Sequence, residues 1–170
     1  MADVTSPSNQ PASQGVSSLF LREEELRAGM EDLFHAWREL ASAADSILEE
    51  EGLGRAHQRA LYFIGSYPDL VVSDLMAHLG ITKQSLSRVL QRLTADGLVA
   101  QRPGMRDRRQ RRLRLTDLGH ALEERLTAAQ RDRLARAYRQ AGGQAVQGFR
   151  LVLTGVRGGQ SGGDLGGRAR

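Results

Sequence analysis

The sequence predicts a mainly α-helical protein with a small β-hairpin wing, organised as a winged helix-turn-helix bracketed by long amphipathic helices. Apolar residues recur every three or four positions over long stretches without proline, which is the period of an amphipathic helix. Two short helical segments meet at a glycine-containing turn around Gly80. The alternating segment Arg111 to Leu115 then follows a Pro-Gly turn signal, which indicates a β-hairpin.

Composition limits the classes of protein to which the chain can belong. Its 170 residues suit about one domain, and the core must be aliphatic because only 5% of residues are aromatic. The absence of cysteine excludes a disulfide framework, a thiolate zinc site and a cysteine nucleophile. No glycine-rich phosphate loop, nucleophile motif or metal-spaced cluster occurs, so we expect neither an enzyme nor a bound cofactor or metal. Neither a signal peptide nor a membrane-spanning apolar run occurs, so we expect a cytoplasmic protein without membrane association.

Periodicity and composition divide the chain into five segments. Residues 1–18 and 157–170 are rich in small and polar residues and predict a disordered N-terminal tail and a flexible Gly/Arg tail. Residues 19–54 predict one amphipathic helix of about 28 residues, and residues 117–156 predict two further helices. Residues 55–116 lie between them. We expect 19–54 and 117–156 to form a homodimer, because their apolar stripes exceed what one subunit can cover.

The central segment, residues 55–116, predicts the winged helix-turn-helix. Ser73, Thr82 and Thr116 are the expected N-caps of the helices that follow them. The elements expected from 55 onward are a helix over 55–67, an extended step at 71–72, helices over 73–79 and 83–95, strands over 98–102 and 111–115, and helices over 116–141 and 145–156.

Charge is unevenly distributed along the chain. Residues 22–51 carry 10 acidic and 3 basic side chains, whereas residues 73–116 carry 10 basic and 3 acidic ones. This asymmetry suggests a nucleic-acid surface attached to a segment with another role.

The helix over 83–95 combines an apolar side with a polar face. Gln84 and Arg88 on the polar face suit base edges in the major groove, because arginine pairs with guanine and glutamine with adenine. Residues at the start and flanks of the helix suit phosphate contacts; they are Thr82, Lys83, Ser85, Ser87 and Arg92. Taken alone, the pattern is equally typical of a solvated helix face.

The wing is strongly basic. Residues 100–115 contain seven arginines and one aspartate, and a net charge of +6 repels itself unless a polyanion is present. Arginines at a hairpin tip can enter a minor groove, and we expect this of Arg108, Arg109 and Arg111. Asp107 is spaced to orient the guanidinium of Arg109 or of Arg111.

Three runs together resemble the MarR family. They are Ile81 to Arg88, Leu93 to Val99, and Asp107 to Gly119 with its Asp-x-Arg and Leu-Thr-x-x-Gly elements. The resemblance covers about Leu26 to Gln140. Residues 54–59 with 81–88 resemble the PetP-type branch of that family.

This resemblance implies a homodimer joined through the first and last two helices. It implies a pseudo-palindromic operator, with the recognition helix 83–95 in the major groove and the wing 102–112 in the neighbouring minor groove. It assigns base reading to Gln84, Ser85 and Arg88, and pairs Arg109 in the minor groove with Asp107. Family members usually repress transcription and often release DNA on binding a phenolic or other aromatic ligand, so we expect a repressor with such an effector.

Two further interpretations remain open. Trp37, Arg38, His57 and Arg59 are candidates for a pocket that binds an aromatic acid, where an arginine would pair with the carboxylate. Trp37 also lies on an apolar stripe, where a core position is the simpler interpretation. The alternative function is a winged helix used as a protein-interaction module, and the charge of the wing argues against it.

Overall fold

The computed structural model describes residues 19–104 and 110–158, and these divide between Glu39 and Leu40 into two compact units. The first predicted tail, 1–18, and residues 159–170 of the second lie outside the described residues. The elements in chain order are a 3₁₀ turn (Leu19–Leu21), α1 (Glu23–Ser42), α2 (Asp45–Glu50), α3 (Arg55–Ser66), β1 (Leu70–Val71), α4 (Val72–Leu79), α5 (Lys83–Ala95), β2 (Val99–Pro103), β3 (Arg111–Leu115) and α6 (Asp117–Val156). The predicted fold class, mainly helical with a small hairpin, is confirmed.

In the first unit, α1 carries an exposed apolar stripe. The stripe consists of Leu26, Met30, Leu33 and Trp37. Trp37 is 59% exposed, so a core position within a single chain is wrong. The reason is that the described part of this unit contains one helix and a 3₁₀ turn, so it offers no second layer to cover the stripe.

The single N-terminal helix that the periodicity predicts is also wrong, because α1 ends at Ser42 and α2 begins at Asp45. Ala44 has φ −111° and ψ 2°, which interrupts the helical path. The interruption lets Ala44 and Leu48 enter the core of the second unit, where both are buried. Burying these apolar side chains offsets the helical hydrogen bonds that are lost.

The helix-turn-helix forms as predicted, apart from one cap. Thr82 caps α5 through its side chain, which accepts a hydrogen bond from the Ser85 N–H. The expected cap at Ser73 is wrong, because α4 begins at Val72 with Val71 as its N-cap. Val71 pairs with Arg112 in the sheet, so the strand leads directly into the helix.

The wing is a three-stranded antiparallel sheet in the order β1-β3-β2. Its register pairs Gln101 with Leu113 and Arg102 with Arg112. Leu113 is fully buried and anchors the sheet to the core. The predicted hairpin is therefore confirmed. The extended step predicted at 71–72 is wrong by one residue, because β1 covers Leu70–Val71 and Val72 already begins α4.

The last long helix is interrupted at Gly142, where φ is 80° and ψ is 164°. This confirms the break predicted at Gly142-Gly143. The rings of Tyr138 and Phe149 lie 6.3 Å apart across it. Eleven residues of straight helix rise about 16 Å, so the chain folds back after Gly142.

A close backbone contact fixes α6 to the wing. Thr116 caps α6 by accepting from the Gly119 N–H at 3.0 Å, and its hydroxyl donates to the Gly97 carbonyl at 2.7 Å. A Cβ at position 119 would lie 2.0 Å from the Leu98 carbonyl oxygen, so only glycine fits there.

None of the helices in 19–104 and 110–158 has the length and apolarity needed to cross a membrane.

Candidate nucleic-acid interface

The exposed face of α5 is the centre of the candidate interface. Its apolar side is buried in the core through Leu86, Val89, Leu90 and Leu93. This burial turns the polar face to solvent, and every expected base-reading or phosphate-binding residue of the helix is exposed; they are Thr82, Lys83, Gln84, Ser85, Ser87, Arg88 and Arg92.

Two cations on this face have no protein partner among the residues that the structure describes. Within the described ranges, neither Lys83 nor Arg88 has a hydrogen-bond or ion-pair partner. Arg88 lies one turn after Gln84, so their side chains project from the same face. These side chains are available to a ligand without breaking an existing contact.

Arg92 is placed differently from the other cations of α5. Its Nε lies 2.6 Å from Asp96 Oδ2. One of its terminal nitrogens would lie 3.6 Å from a Cβ at Gly52, so the side chain reaches toward the turn between α2 and α3. A phosphate contact from Arg92 stays a prediction, and it would compete with the Asp96 pair.

An open cleft of about 940 Å³ lies between α5 and the wing. Arg111 lines it from β3, and Lys83, Ser87 and Gln91 line it from α5. The strand β2 is tied to α5 by a hydrogen bond of 3.2 Å from the Gln101 amide to the Thr94 hydroxyl. The cleft therefore presents cations and amides from two elements toward the same space.

Gln91 was not among the predicted base readers, although the sequence held a signal for it. It lies seven residues after Gln84, or two turns along the same exposed face.

The tip of the wing lies outside the described residues, and with it the predicted residues Asp107, Arg108 and Arg109. The described part of the wing has a different orienting carboxylate, Asp69. It pairs with Arg114 through two contacts, Nε to Oδ1 at 2.6 Å and Nη2 to Oδ2 at 2.5 Å. These bonds hold the pKa of Asp69 below its usual value and raise the pKa of Arg114.

Sequence reasoning missed Asp69 because nothing in the chain marks a pair 45 residues apart. Within the described ranges, Asp69 is the only non-glycine residue with a positive φ, at 61°. Aspartate tolerates this conformation better than most residues do.

The residues of the predicted effector pocket fall in both units. In the second unit, His57 Nδ1 accepts from the Gly54 N–H at 3.0 Å, and Arg59 donates to the Leu79 carbonyl at 2.6 Å. Burial is the main cause that lowers the pKa of His57. Trp37 and Arg38 belong to the first unit, where Arg38 lies 3.6 Å from the Glu39 carboxylate. Their joint role in binding a ligand stays a prediction.

The described residues hold no group of three or more histidine, aspartate or glutamate side chains placed to bind a metal ion.

Comparisons with known proteins agree on one family. The sequence model of the MarR family matches residues 51–110. The HTH-type transcriptional regulator PetP of Rhodobacter capsulatus is 50% identical over 153 residues, which are 90% of this chain and 89% of PetP.

Solved structures show the same fold at lower identity. A MarR-family transcriptional regulator from Silicibacter pomeroyi superposes with a TM-score of 0.69 at 22% identity, covering 86% of this chain and 98% of that one. NadR in complex with 4-hydroxyphenylacetate superposes with a TM-score of 0.65 at 20% identity, covering 89% of this chain and 97% of NadR.

Proposed function

The chain belongs to the MarR family of transcriptional regulators, and on that premise we propose that it binds a pseudo-palindromic DNA operator as a homodimer and represses transcription. The recognition helix α5 enters the major groove, and the wing enters the neighbouring minor groove. The observation that carries this proposal is the free polar face of α5 beside an arginine-rich wing.

Direct readout is assigned to Gln84, Ser85 and Arg88. A guanidinium without a protein partner can form a bidentate pair with guanine O6 and N7, and a glutamine amide can do the same with adenine. The Ser85 hydroxyl accepts from the Thr82 hydroxyl at 3.0 Å, which holds it at the N-terminus of α5. Lys83 and Ser87 flank this face and supply phosphate contacts that set the register.

Dimerisation is supported by apolar side chains that each unit leaves uncovered. In α1 they are Leu26, Met30, Leu33 and Trp37, and in α6 they are Leu134, Phe149, Leu151, Val152 and Val156. Apolar surface of this extent marks an interaction site rather than a free surface. A second copy of the chain would cover it and place two α5 helices about 34 Å apart, one turn of DNA.

A small aromatic or phenolic acid is the proposed effector. Support comes from NadR, whose structure contains 4-hydroxyphenylacetate. Arg38 and Arg59 are the two candidates to pair with the carboxylate of the effector; Arg38 lies 3.6 Å from the Glu39 carboxylate, and Arg59 donates to the Leu79 carbonyl. Trp37 and His57 are the other two candidate residues for this effector.

The test is fluorescence anisotropy with a labelled duplex from upstream of the chain's own gene and a shuffled duplex of the same composition. We expect the wild type to prefer the first duplex and to bind it as a dimer. Arg88→Ala removes one base contact of about 1–3 kcal/mol from each protomer, so affinity of the dimer for the upstream duplex should fall at least about 30-fold. Arg139→Ala, at an exposed position far along α6, is the matched control and should bind like the wild type.

Three results would contradict parts of this proposal. No binding at low salt would overturn DNA recognition and favour the protein-interaction module. Equal binding to both duplexes would contradict sequence specificity. A monomeric mass by light scattering at working concentration would overturn the dimer.

A further inference from the structure

The wing sheet has two faces that carry different arginines. Gln101 and Leu113 point toward α5 and the core, because Gln101 bonds to Thr94 and Leu113 is buried. Side chains alternate along a strand, so Arg112 and Arg114 lie on the opposite face. We call this opposite face the outer face of the wing. The register places Arg102 of β2 directly across from Arg112, so it shares that face.

The positive charges on the outer face are incompletely compensated. Like charges directly opposite each other on neighbouring strands repel. Asp69 is a carboxylate bonded to this row, and both of its oxygens bond to Arg114. The positive charges of Arg112 and Arg102 also lower the pKa of Asp69, but neither guanidinium is within ion-pair distance of the Asp69 carboxylate.

Arg112 also carries an unsatisfied donor. Its Nε is buried and has no hydrogen-bond partner. The side chain lines an open cleft of about 760 Å³ together with Tyr67, His78 and Asp74. The Asp74 carboxylate accepts from Ser73 and forms no ion pair with Arg112 among the described residues. Among the described residues, Arg102 and Arg112 on the outer face therefore lack an anion partner.

We propose that Arg102 and Arg112 form a binding site for a DNA backbone phosphate on the outer face of the wing. This inference rests on the proposed function. A minor groove is about 6 Å wide and has a sugar-phosphate backbone on each side. A hairpin inserted into it turns one face to each backbone. The face with Arg111 meets the backbone nearer α5, and the outer face meets the other. Guanidinium groups match phosphate oxygens in a bidentate manner.

Arg114 has a different role on the same face. Its guanidinium is already held by Asp69, so it serves as a positioning residue that ties β3 to the turn before β1.

The experiment measures Kd by anisotropy from 50 to 200 mM salt, on a duplex selected by the wild type from a random-sequence library. The double variant Arg102→Gln/Arg112→Gln removes one proposed phosphate site from each protomer. We expect the slope of log K against log salt to become less steep by about 1.8, at about 0.9 for each phosphate in a dimer. The ratio of variant Kd to wild-type Kd should then fall about twelve-fold across that range. The matched control Arg139→Gln should keep the wild-type slope.

A second readout separates binding from folding. The Tm of the double variant should equal or exceed that of the wild type, because two like charges that face each other across the strands are removed. An unchanged salt slope would overturn the inference, even if affinity fell. A second result would also overturn it. Inorganic phosphate at constant ionic strength would raise the Tm of the wild type but not of the variant, while the salt slopes for DNA stayed equal. The site would then bind a free oxyanion and not the DNA backbone. Failure of the wild type to bind any duplex at 50 mM salt would instead refute the proposed function.

Discussion

The joint between the wing and α6 makes Gly119→Ala a severe substitution. The new Cβ would lie 2.0 Å from the Leu98 carbonyl oxygen and 3.0 Å from its carbonyl carbon. A relaxed carbon–oxygen contact needs about 3.3 Å, so the joint must open by about 1.3 Å. The obstacle is backbone, so a change of side-chain rotamer cannot relieve it.

Opening the joint weakens the hydrogen bonds that Thr116 makes across it. They run from Thr116 N–H to the Leu98 carbonyl at 3.1 Å and from its hydroxyl to the Gly97 carbonyl at 2.7 Å. Each contributes about 1 kcal/mol, and overpacking adds about 1–3 kcal/mol. Alanine regains about 1 kcal/mol of helix propensity. The expected net loss is about 3 kcal/mol, or about 6–12 °C in Tm for a chain of this size.

The assay is urea unfolding followed by far-ultraviolet circular dichroism at one fixed protein concentration, since dimer stability depends on concentration. The control is Gly29→Ala in α1, where an added Cβ meets no atom within 4 Å. It should gain about 1 kcal/mol from propensity alone. If Gly119→Ala is as stable as the wild type while Gly29→Ala gains, the reasoning about the Leu98 contact is refuted.

Three further predictions concern the cap of α5, the wing anchor and the half-buried imidazole. Thr82→Ala removes the cap of α5 and should cost about 1 kcal/mol in urea unfolding, whereas Thr82→Ser should retain most of that stability; equal losses would contradict the capping role. Asp69→Asn keeps a residue that tolerates positive φ but loses the charge. Because Arg114 lowers the folded pKa of Asp69, the wild type should be more stable than this variant above about pH 4 and lose the advantage as pH falls through that pKa. Urea midpoints at pH 7 and pH 3 measure the difference, and an equal difference at both would exclude the ion pair as its source. For His57, burial lowers the folded pKa, so the wild type should lose stability as pH falls below about 6.5. His57→Gln should lose less over the same range, and parallel curves of Tm against pH would argue against a buried neutral imidazole.

Local chemistry made much of the fold predictable. The hydroxyls of Thr82 and Thr116 cap the helices that their positions predicted. The positive φ at Gly142 interrupts the last helix where a glycine pair predicted a break. Each of these features depends on a residue and its immediate neighbours, so the sequence carries the signal directly.

Features set by distant contacts could not be predicted. Ala43 and Ala44 are good helix formers, yet the chain turns there because Ala44 and Leu48 are buried in the second unit. Asp69 orients Arg114 across 45 positions, and only the folded sheet brings them together. In the candidate site, the exposed face of α5 could be predicted from the spacing of the apolar residues along the helix. The direction of the Arg92 side chain toward Gly52 could not be predicted, because it depends on how α5 packs against the turn between α2 and α3.

Lys83 is the sole lysine of the chain, and it is exposed at the first position of α5. Amine chemistry on lysine side chains is therefore confined to the start of this helix. Apart from the α-amino group of the chain, an amine-reactive fluorophore would label this helix terminus alone, without the introduction of a cysteine. Acylation would also neutralise the ammonium group at the same place. The rate at which a reagent modifies Lys83, with and without a bound duplex, would thus serve as a chemical footprint of a single position on the recognition helix.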